Sequence, residues 1–448
     1  MKTKHILLSV LVCSFIVAVL TSCDSFLDIT PTGKVIASTC EEYREMLTNE
    51  YNSFSKDRYM TTIRTDEVKL TSAVASSELD AYLDLWLWKD EDPSPTTTYF
   101  SWRNYYHNIY IANYIIEHQG EITDATAKEV SQLVGEAYMM RAYNHFLLVN
   151  LYAEPYTHCN PATTRGVPMM LEADVNAIPP SSSVETVYQQ VLADVTEATR
   201  HLNVAEWEEG KNYRFNTVSA EALRARTYLY MGRWQEALTA AEKVIATHGA
   251  LEDMTVSTSL LPDNYKSVEN IVALEQFSTN MSTVIDQPDA NFINTMYKSG
   301  DQRKTKYFKK ATSTTYTLKK KDENSYSSFR SAEAYLTAAE AACQLGDLSK
   351  AVNDFLMPLW KKRLNASALS AETALVAPMT QAELLQEIYD ERARELAFEG
   401  HRWYDLRRTT HKALTRSYGG QTYTLTPEKY TMRFPTEAVE SNPEIERW

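Results

Sequence analysis

Glycine, cysteine and basic residues are all scarce in this chain of 448 residues. The 12 glycines are too few for a collagen-like, glycine-linker or turn-rich all-β design. The 45 basic residues are outnumbered by 59 acidic ones, so a nucleic-acid-binding protein, which needs a basic face, is not expected. Five scattered cysteines without a CxxC spacing predict neither a disulfide framework nor a zinc site. Hydrophobic residues reach 44%, which is enough to bury a substantial core.

The start of the chain has the composition of a secretory signal peptide. Lys2 and Lys4 precede an apolar run over residues 6–20, which is too short to span a bilayer comfortably. The residues Leu20–Cys23 are similar to a bacterial lipobox, and this resemblance implies that Cys23 becomes the lipidated first residue of the mature chain. Ordinary cleavage that leaves Cys23 unmodified is the alternative. Since no later run approaches the ~20 apolar residues of a membrane helix, we expect attachment to the membrane through lipid only.

Apolar periodicity predicts that most of the remaining chain is helical. From Tyr99 to His118 and from Val130 to Tyr152, apolar and aromatic residues recur with the spacing of amphipathic helices. Ser182–Glu185 has the form of a capping box and opens another amphipathic stripe. Helical patterns return at 330–355 and 381–408.

Two helical stretches repeat one spacing. Ala225 and Ala339 each stand seven residues before a glycine, Gly232 or Gly346, and twelve before another alanine. Helix, glycine-containing turn and helix, with small residues where paired helices approach, is the tetratricopeptide (TPR) pattern in loose form. A generic helical hairpin is the alternative. Because the two units are far apart in the chain, we expect them to be parts of one globular scaffold rather than an open solenoid.

The run from Glu391 to Arg408, ERARELAFEGHRWYDLRR, is very similar to the signature of the SusD/RagB family. Other segments resemble the family in the family's order: Cys23–Asp28, Asp66-Glu67, Trp102–Asn113, Leu151–Pro155, Gly166–Pro168, Val187–Asp194, Glu269–Val272 and Phe434–Glu437. The resemblance implies a mainly α, SusD-like fold built on TPR-like helix pairs, with a less regular, loop-rich part that contains short strands. It also implies a lipoprotein of the Bacteroidetes cell outer membrane that faces the cell exterior, binds a glycan and delivers it to a SusC-like TonB-dependent transporter.

The expected organisation has three parts. A signal peptide at 1–22 and a lipidated tether at 23–40 precede a single SusD-like domain at 41–448. Within that domain, TPR-like helices should occupy about 99–250 and 330–408, and variable ligand-side segments about 70–98 and 250–329.

Aromatic residues supply the predicted ligand contacts. Tyr82, Trp86 and Trp88 precede an acidic, proline-containing loop, outside the helical stripe of Trp102, Tyr106 and Tyr110 that we assign to the core. Exposed flat aromatics suit the apolar faces of sugar rings. The alternative is a short strand that buries leucines on one face and leaves the two tryptophans half-exposed on the other. The predicted ligand-binding residues are Tyr82, Trp86, Trp88, Tyr297, Tyr307 and Tyr316.

The last three of these tyrosines lie in or next to a basic segment. Residues 298–321 contain nine lysines or arginines and one acid, Asp301. A solvated loop is one interpretation. A wall of the ligand site that favours an anionic substrate, or a contact with the partner, is the other.

Glu395 and Glu399 are four residues apart, the spacing of paired carboxylates on one helix face. Arginines surround them, and ion pairs would lower their pKa values, opposite to what a general acid needs. We therefore predict a structural ion-pair cluster, with Gly400 as a left-handed helix stop. HExxH, GxSxG, Walker A and GxGxxG motifs are absent. We expect no catalytic residue, metal ion or cofactor; a RagB-like peptide-binding lipoprotein and a surface glycosidase remain the alternative functions.

Overall fold

The computed structural model describes residues 37–70, 76–277, 287–320 and 323–445. The predicted signal peptide and Cys23 lie outside the described residues. Within the described residues, the predicted mainly α architecture is confirmed. The α-helices are α1 Cys40–Asn52, α2 Tyr59–Ile63, α3 Ser76–Leu87, α4 Trp102–His118, α5 Ala127–Tyr152, α6 Val184–His201, α7 Thr217–Tyr230, α8 Trp234–His248, α9 Ala290–Met296, α10 Arg303–Tyr307, α11 Ser331–Gln344, α12 Leu348–Lys350, α13 Met357–Lys361, α14 Ala366–Val376, α15 Gln381–Glu395, α16 Arg402–Arg408 and α17 Thr436–Ser441. None of these helices combines the length and the apolar content needed to cross a membrane.

Local sequence signals set several helix starts. Capping boxes open α1 at Thr39, α5 at Thr126 and α15 at Thr380, because each threonine accepts from the backbone of a glutamate that bonds back to it. The predicted box before α6 is wrong by one residue. Ser183 is the N-cap, and its hydroxyl accepts from the backbone of Thr186 without a reciprocal bond.

The TPR-like pairs are formed by α7 with α8 and by α11 with α12. Gly232 and Gly346 make the turns with φ of 70° and 87°, a left-handed conformation that glycine adopts without strain. In the second pair the helix passes through a π-helical turn, Ala351–Leu356, directly before Pro358. Proline has no N–H to donate, so the regular ladder changes there. Helices α4, α5, α6, α7, α8 and α11 pack in succession and carry most of the core.

The strands form four two-stranded antiparallel sheets within the described ranges. Their strands are β1 Arg165–Pro168, β2 Ser181–Ser183, β3 Asn270–Val272, β4 Phe308–Lys310, β5 Tyr316–Leu318, β6 Phe329–Arg330, β7 Leu414–Tyr418 and β8 Gln421–Leu425. The β-like run predicted near residue 271 is β3, which pairs with β6 immediately before α11. Hairpin β7–β8 turns through Gly419 and Gly420, both at positive φ.

Candidate functional site

The prediction that Glu395 and Glu399 lie in ion pairs is confirmed, but their cations come from other segments and not from the arginines that flank them in the sequence. Glu395 lies at the centre of the ion-pair cluster: one carboxylate oxygen is 2.8 Å from both Arg330 and Arg363, and the other is 3.0 Å from Arg303. Burial alone would raise the pKa of Glu395, but the guanidinium groups of Arg363 and Arg330 hold it well below its usual range. We call the group formed by Glu269, Asp301, Arg303, Lys320, Arg330, Arg363, Glu391, Glu395 and Glu399 the Glu395 cluster.

Glu399 is held in the same way as Glu395. Arg330 donates to it through two nitrogens, at 2.8 and 2.9 Å, and the Lys320 ammonium also pairs with it. Burial would raise the pKa of Glu399, and these two cations lower it. A carboxyl held ionised below its usual pKa is a poor proton donor near neutral pH. The geometry therefore favours a structural role for both glutamates.

The basic segment that contributes to this cluster is largely bound to protein. Arg303 and Lys320 are buried in the Glu395 cluster, and Lys298 pairs with Glu372 at 2.9 Å. Lys306 donates to the backbone carbonyl of Val256 at 3.0 Å. The interpretation as a solvated loop is therefore wrong for Arg303 and Lys320, which are buried, whereas Lys298, Lys309 and Lys310 are exposed.

The aromatic side chains predicted to contact ligand are mostly inside the protein. Trp86 is 5% exposed and Trp88 is 1% exposed, and their indole nitrogens donate to the carbonyls of Val68 and Arg64. The expectation that they are exposed or half-exposed on a strand is wrong: Trp86 belongs to α3, and Trp88 follows its end with φ of 57°. The guanidinium of Arg416 lies 4.7 Å from the Trp86 ring and 4.3 Å from the Trp88 ring. This arginine packs against both indole rings and covers part of their surface.

The four predicted tyrosines also have protein partners. Tyr82 is half-buried, and its hydroxyl is 2.8 Å from that of Tyr59. Tyr297 and Tyr307 are buried and donate to backbone carbonyls of α15, and Tyr316 donates to Asn294 at 2.8 Å. Ligand contact by these six aromatics stays a prediction, but the exposure that it assumed is absent for five of them.

A groove beside Trp86 brings together segments that are distant in the sequence. Residues 67–69 pair with 287–289, since Lys69 donates to the carbonyl of residue 287 at 3.0 Å and Asp289 to that of Glu67 at 2.7 Å. Helix α9 follows this bridge, and hairpin β7–β8 forms the facing wall. We call this cavity of about 600 Å³ the Lys69 groove; it is lined by Asp66, Val68, Lys69, Leu70, Trp86, Asp289, Asn291, Phe292, Thr295, Met296, Lys412, Leu414, Thr415, Arg416 and Ser417.

Arg416 attaches the hairpin wall to the rest of the protein. From the middle of β7 it donates to the carbonyl of Ile63 at 3.1 Å and to the carbonyls of Trp86 and Thr65. Burial, together with the neighbouring charge of Arg64, lowers the pKa of Arg416 well below its ordinary range. Within the described residues, the hydrogen bonds of the Arg416 guanidinium go to carbonyl oxygens and none goes to a carboxylate.

Four neutral polar side chains line the Lys69 groove without a hydrogen-bond partner elsewhere in the described ranges. They are those of Asn291, Thr295, Thr415 and Ser417. Phe292, Met296 and Leu414 supply apolar surface in the same cavity. Apolar surface combined with a few unengaged polar groups is typical of a small-molecule site.

A second cavity differs in that most of its polar groups are hydrogen-bonded to protein. The aromatic groove, of about 550 Å³, is lined in part by Trp102, Tyr106 and Tyr110, which are half-buried rather than fully in the core. Its rim includes Val175 and Ile178, which are 71% and 50% exposed. Its polar groups are mostly engaged, since the Tyr106 hydroxyl donates to the carbonyl of Pro168 and Asn442 donates to that of Pro179.

Two family profiles divide the chain between them. Residues 242–446 match the profile described as "SusD family", and residues 25–229 match the one described as "Starch-binding associating with outer membrane". The chain belongs to the SusD/RagB family.

Known SusD-like proteins match this chain in sequence over about half of its length and in structure over nearly all of it. SusD-like protein P38 of Formosa agariphila is 26% identical over 238 residues, which are 51% of this chain and 43% of that relative. A SusD superfamily protein of Bacteroides thetaiotaomicron aligns over 91% of this chain and 99% of its own with a TM-score of 0.74 at 22% identity. A SusD-like carbohydrate binding protein of Bacteroides vulgatus aligns over 92% and 98% with a TM-score of 0.72 at 19% identity. The last two likenesses establish the SusD fold.

The groove wall formed by β7–β8 is the part of this SusD-like fold that sequence reasoning missed. The Gly419-Gly420 pair lies between two five-residue segments rich in Thr and Tyr, which is a strong local hairpin signal. That signal identifies the hairpin but does not indicate which part of the protein the hairpin packs against. The contact of Arg416 with Trp86 joins positions 330 residues apart, and local spacing carries no information on it.

Proposed function

We propose that this protein is a cell-surface lipoprotein that binds a glycan in the Lys69 groove without cleaving it. Four unengaged polar side chains beside apolar surface are the observation that carries the proposal. Sugar rings offer apolar C–H faces, and their hydroxyl groups need donors and acceptors. Asn291, Thr295, Thr415 and Ser417 can supply both.

Delivery to a transporter is the second part of the proposal. Family membership supports a SusC-like TonB-dependent transporter as the receiver and the outer membrane as the location. A carrier that hands over its cargo must release it, so we expect micromolar to millimolar affinity, about −8 to −4 kcal/mol.

Calorimetry with a panel of oligosaccharides tests the binding site. Thr295→Val and Thr415→Val each remove one groove hydroxyl while keeping the side-chain shape. Losing one neutral hydrogen bond costs about 0.5–1.5 kcal/mol, so each variant should bind about 2–10-fold more weakly. Thr314→Val, at the exposed β4–β5 turn, is the matched control and should bind like the parent. Normal binding by both groove variants would place the site elsewhere.

Anchoring is tested separately at Cys23. The parent chain should incorporate labelled fatty acid and fractionate with the outer membrane, whereas Cys23→Ala should do neither. A Cys23→Ala variant that stays in the membrane fraction would contradict attachment through this residue.

Peptide binding is the second candidate, and the aromatic groove favours it. A groove lined by half-buried aromatics with exposed aliphatic residues at its rim suits apolar peptide side chains. Binding of peptides but not glycans, abolished by Ile178→Asp and unaffected by Thr295→Val, would support this function instead.

A further inference from the structure

We propose that the Lys69 groove selects glycans that carry an acidic group, the carboxylate or sulfate of an acidic sugar. This inference rests on the proposed function and names the class of glycan that the groove would take. It follows from a mismatch of charge among the residues that line the groove.

The buried arginines show the mismatch. Thirteen arginines are buried in the described part of the chain, and eleven of them form an ion pair with a carboxylate there. Arg407 and Arg416 are the two exceptions. Arg407 is enclosed at 1% exposure and bonds to the carbonyls of Ala153 and Tyr430 and to Asn150. Arg416 differs because it borders a cavity large enough for a ligand.

The two carboxylates of the groove, Asp66 and Asp289, attract the charge of Arg416 through space, but neither forms an ion pair with it. Asp66 receives two hydrogen bonds from Arg402, both at 2.9 Å, and one from Lys412 at 3.1 Å. Asp289 caps helix α9 by accepting from the backbone of Asn291 at 2.7 Å. Both acids are therefore engaged by other groups.

Lys69 adds a second cation that lacks a counter-charge. Its side chain is exposed, lines the groove and forms no ion pair with any described residue. Single exposed lysines are ordinary, but this one shares a cavity with Arg416, which has no carboxylate partner. The chain as a whole has a formal charge of −14, so its surface in general repels anions. The groove lining holds three cations, Lys69, Lys412 and Arg416, against the two carboxylates Asp66 and Asp289. This excess of one positive charge favours an anionic ligand by contrast with the rest of the surface.

The remaining lining residues match the rest of such a ligand. An acidic sugar presents its charged group together with several ring hydroxyls. Lys69 and Arg416 provide the positive field, and Asn291, Thr295, Thr415 and Ser417 remain for the hydroxyls. Charge-assisted hydrogen bonds are about twice as strong as neutral ones, so the acidic group would dominate the selectivity.

Calorimetry on the full chain with matched acidic and neutral probes tests the inference. Trigalacturonate and its methyl ester share one sugar backbone and differ at the carboxyl groups, which are charged in the acid and are neutral methyl esters in its partner. A sulfated galactan oligosaccharide and its desulfated form make the second pair and distinguish a sulfate source from a carboxylate source. We expect at least one acidic probe to bind about tenfold more tightly than its neutral partner at low salt, and the preference to shrink as ionic strength rises.

Two lysine variants test whether the preference for acidic probes arises in the Lys69 groove. Lys69→Gln should weaken binding of the acidic probe and so remove most of the acidic preference. Lys361→Gln also removes one exposed lysine charge but lies outside the groove, and it should behave like the parent. An equal preference in both variants would overturn the inference.

The outcomes separate this inference from the proposed function. Equal binding of acidic and neutral probes, or binding of neutral probes alone, overturns the selectivity and leaves glycan binding intact. Failure of all four probes to bind overturns the selectivity too. Failure of the wider oligosaccharide panel, or an unchanged affinity in Thr295→Val and Thr415→Val, counts against the groove as a glycan site.

Discussion

The Glu395 cluster and the Lys69 groove both contain buried arginines, but they differ in how the charge is compensated. In the cluster, Arg303, Arg330 and Arg363 each contact at least two carboxylates. In the groove, Arg416 contacts carbonyl oxygens and two indole rings. Buried arginines that are paired with carboxylates help to fix one arrangement of the chain. An arginine without a paired carboxylate beside a cavity can interact with a ligand.

Carboxyl groups show the same difference between the two regions. Glu395 is held ionised by surrounding guanidinium groups. Glu67, which adjoins the groove, is fully buried and accepts from the backbone of Phe398 at 2.8 Å and from Thr65 at 3.1 Å. Burial raises the pKa of Glu67 to about 8, so it is mostly protonated at pH 7. Opposite pKa shifts give the two glutamates opposite effects on the pH dependence of folding.

Removing the central charge of the cluster should have the largest effect. Glu395→Gln leaves three buried guanidinium groups short of a counter-charge, and breaking a buried ion pair in this way costs about 3–5 kcal/mol. Urea unfolding at pH 7 measures the free energy of unfolding. Glu440→Gln, at an exposed site on α17, should leave that energy essentially unchanged. A similar result for both variants would show that the cluster contributes little.

A pH series should separate the two glutamates. Between its ordinary value of 4.5 and about 8, Glu67 holds a proton in the folded state that the unfolded chain has released, so stability falls as the pH rises. Glu67→Gln does not titrate, and its stability relative to the parent should rise by about 1.4 kcal/mol per pH unit, or roughly 3 kcal/mol from pH 5 to pH 7.

Glu395 supplies the opposite sign in the same series. Its folded-state pKa is lowered, so its contribution is present above the unfolded value and is lost as the pH falls through the folded one. The penalty of Glu395→Gln should therefore be constant near neutrality and shrink as the pH falls below the ordinary glutamate value of 4.5. If the stability of both variants relative to the parent changed with pH in the same way, the two glutamates would not have opposite pKa shifts.

A glycine pair tests how tightly the signature run packs. Gly400 and Gly346 both have positive φ, 70° and 87°. A Cβ at Gly400 would lie 2.7 Å from Arg58 Cγ, whereas a Cβ at Gly346 would meet nothing within 4 Å. Gly346→Ala should cost about 1–2 kcal/mol for the left-handed backbone alone, and Gly400→Ala about 1 kcal/mol more from crowding. Thermal unfolding of the two variants measures the difference, and equal costs would mean that Arg58 moves aside.

Removing the groove arginine should have the smallest effect on stability. Arg416→Gln deprives three carbonyls of a donor, but it also removes a buried charge that has no carboxylate partner, so we expect a net loss of only about 1–2 kcal/mol in urea unfolding. Arg103→Gln, at an exposed site on α4, is the control and should be neutral. A loss as large as that of Glu395→Gln would mean that Arg416 is as strongly compensated as the cluster arginines.

Sequence reasoning predicted the parts of the molecule that depend on local spacing. The helical periodicity at Tyr99–His118 and the glycine turns at Gly232 and Gly346 are local signals, and the structure confirms them. Ion pairing of Glu391, Glu395 and Glu399 was also predicted, because arginines flank these carboxylates in the chain. Their main partners were not, since Arg303, Arg330 and Arg363 come from other segments.

The tryptophans show why the site itself was harder to predict. Alternating leucines at 83, 85 and 87 have the period of a strand, but Ser76–Leu87 is helical. Trp86 and Trp88 pack against Arg416, which belongs to a hairpin near the other end of the chain. Burial of an aromatic residue depends on which residues surround it in the folded protein. Arg416 is distant from these two tryptophans in the sequence, so the local pattern around them does not predict the contact.

Hairpin β7–β8 also offers a place to attach a probe. Arg416 fastens the middle of β7, so the tip at Tyr418–Gln421 projects beyond the point of attachment, and each of these four residues is exposed. Exposed hairpin tips with glycine turns tolerate inserted residues well. A short tag for a fluorescent dye placed between Gly419 and Gly420 should therefore leave the fold intact and report, from the edge of the groove, when cargo arrives and when it leaves.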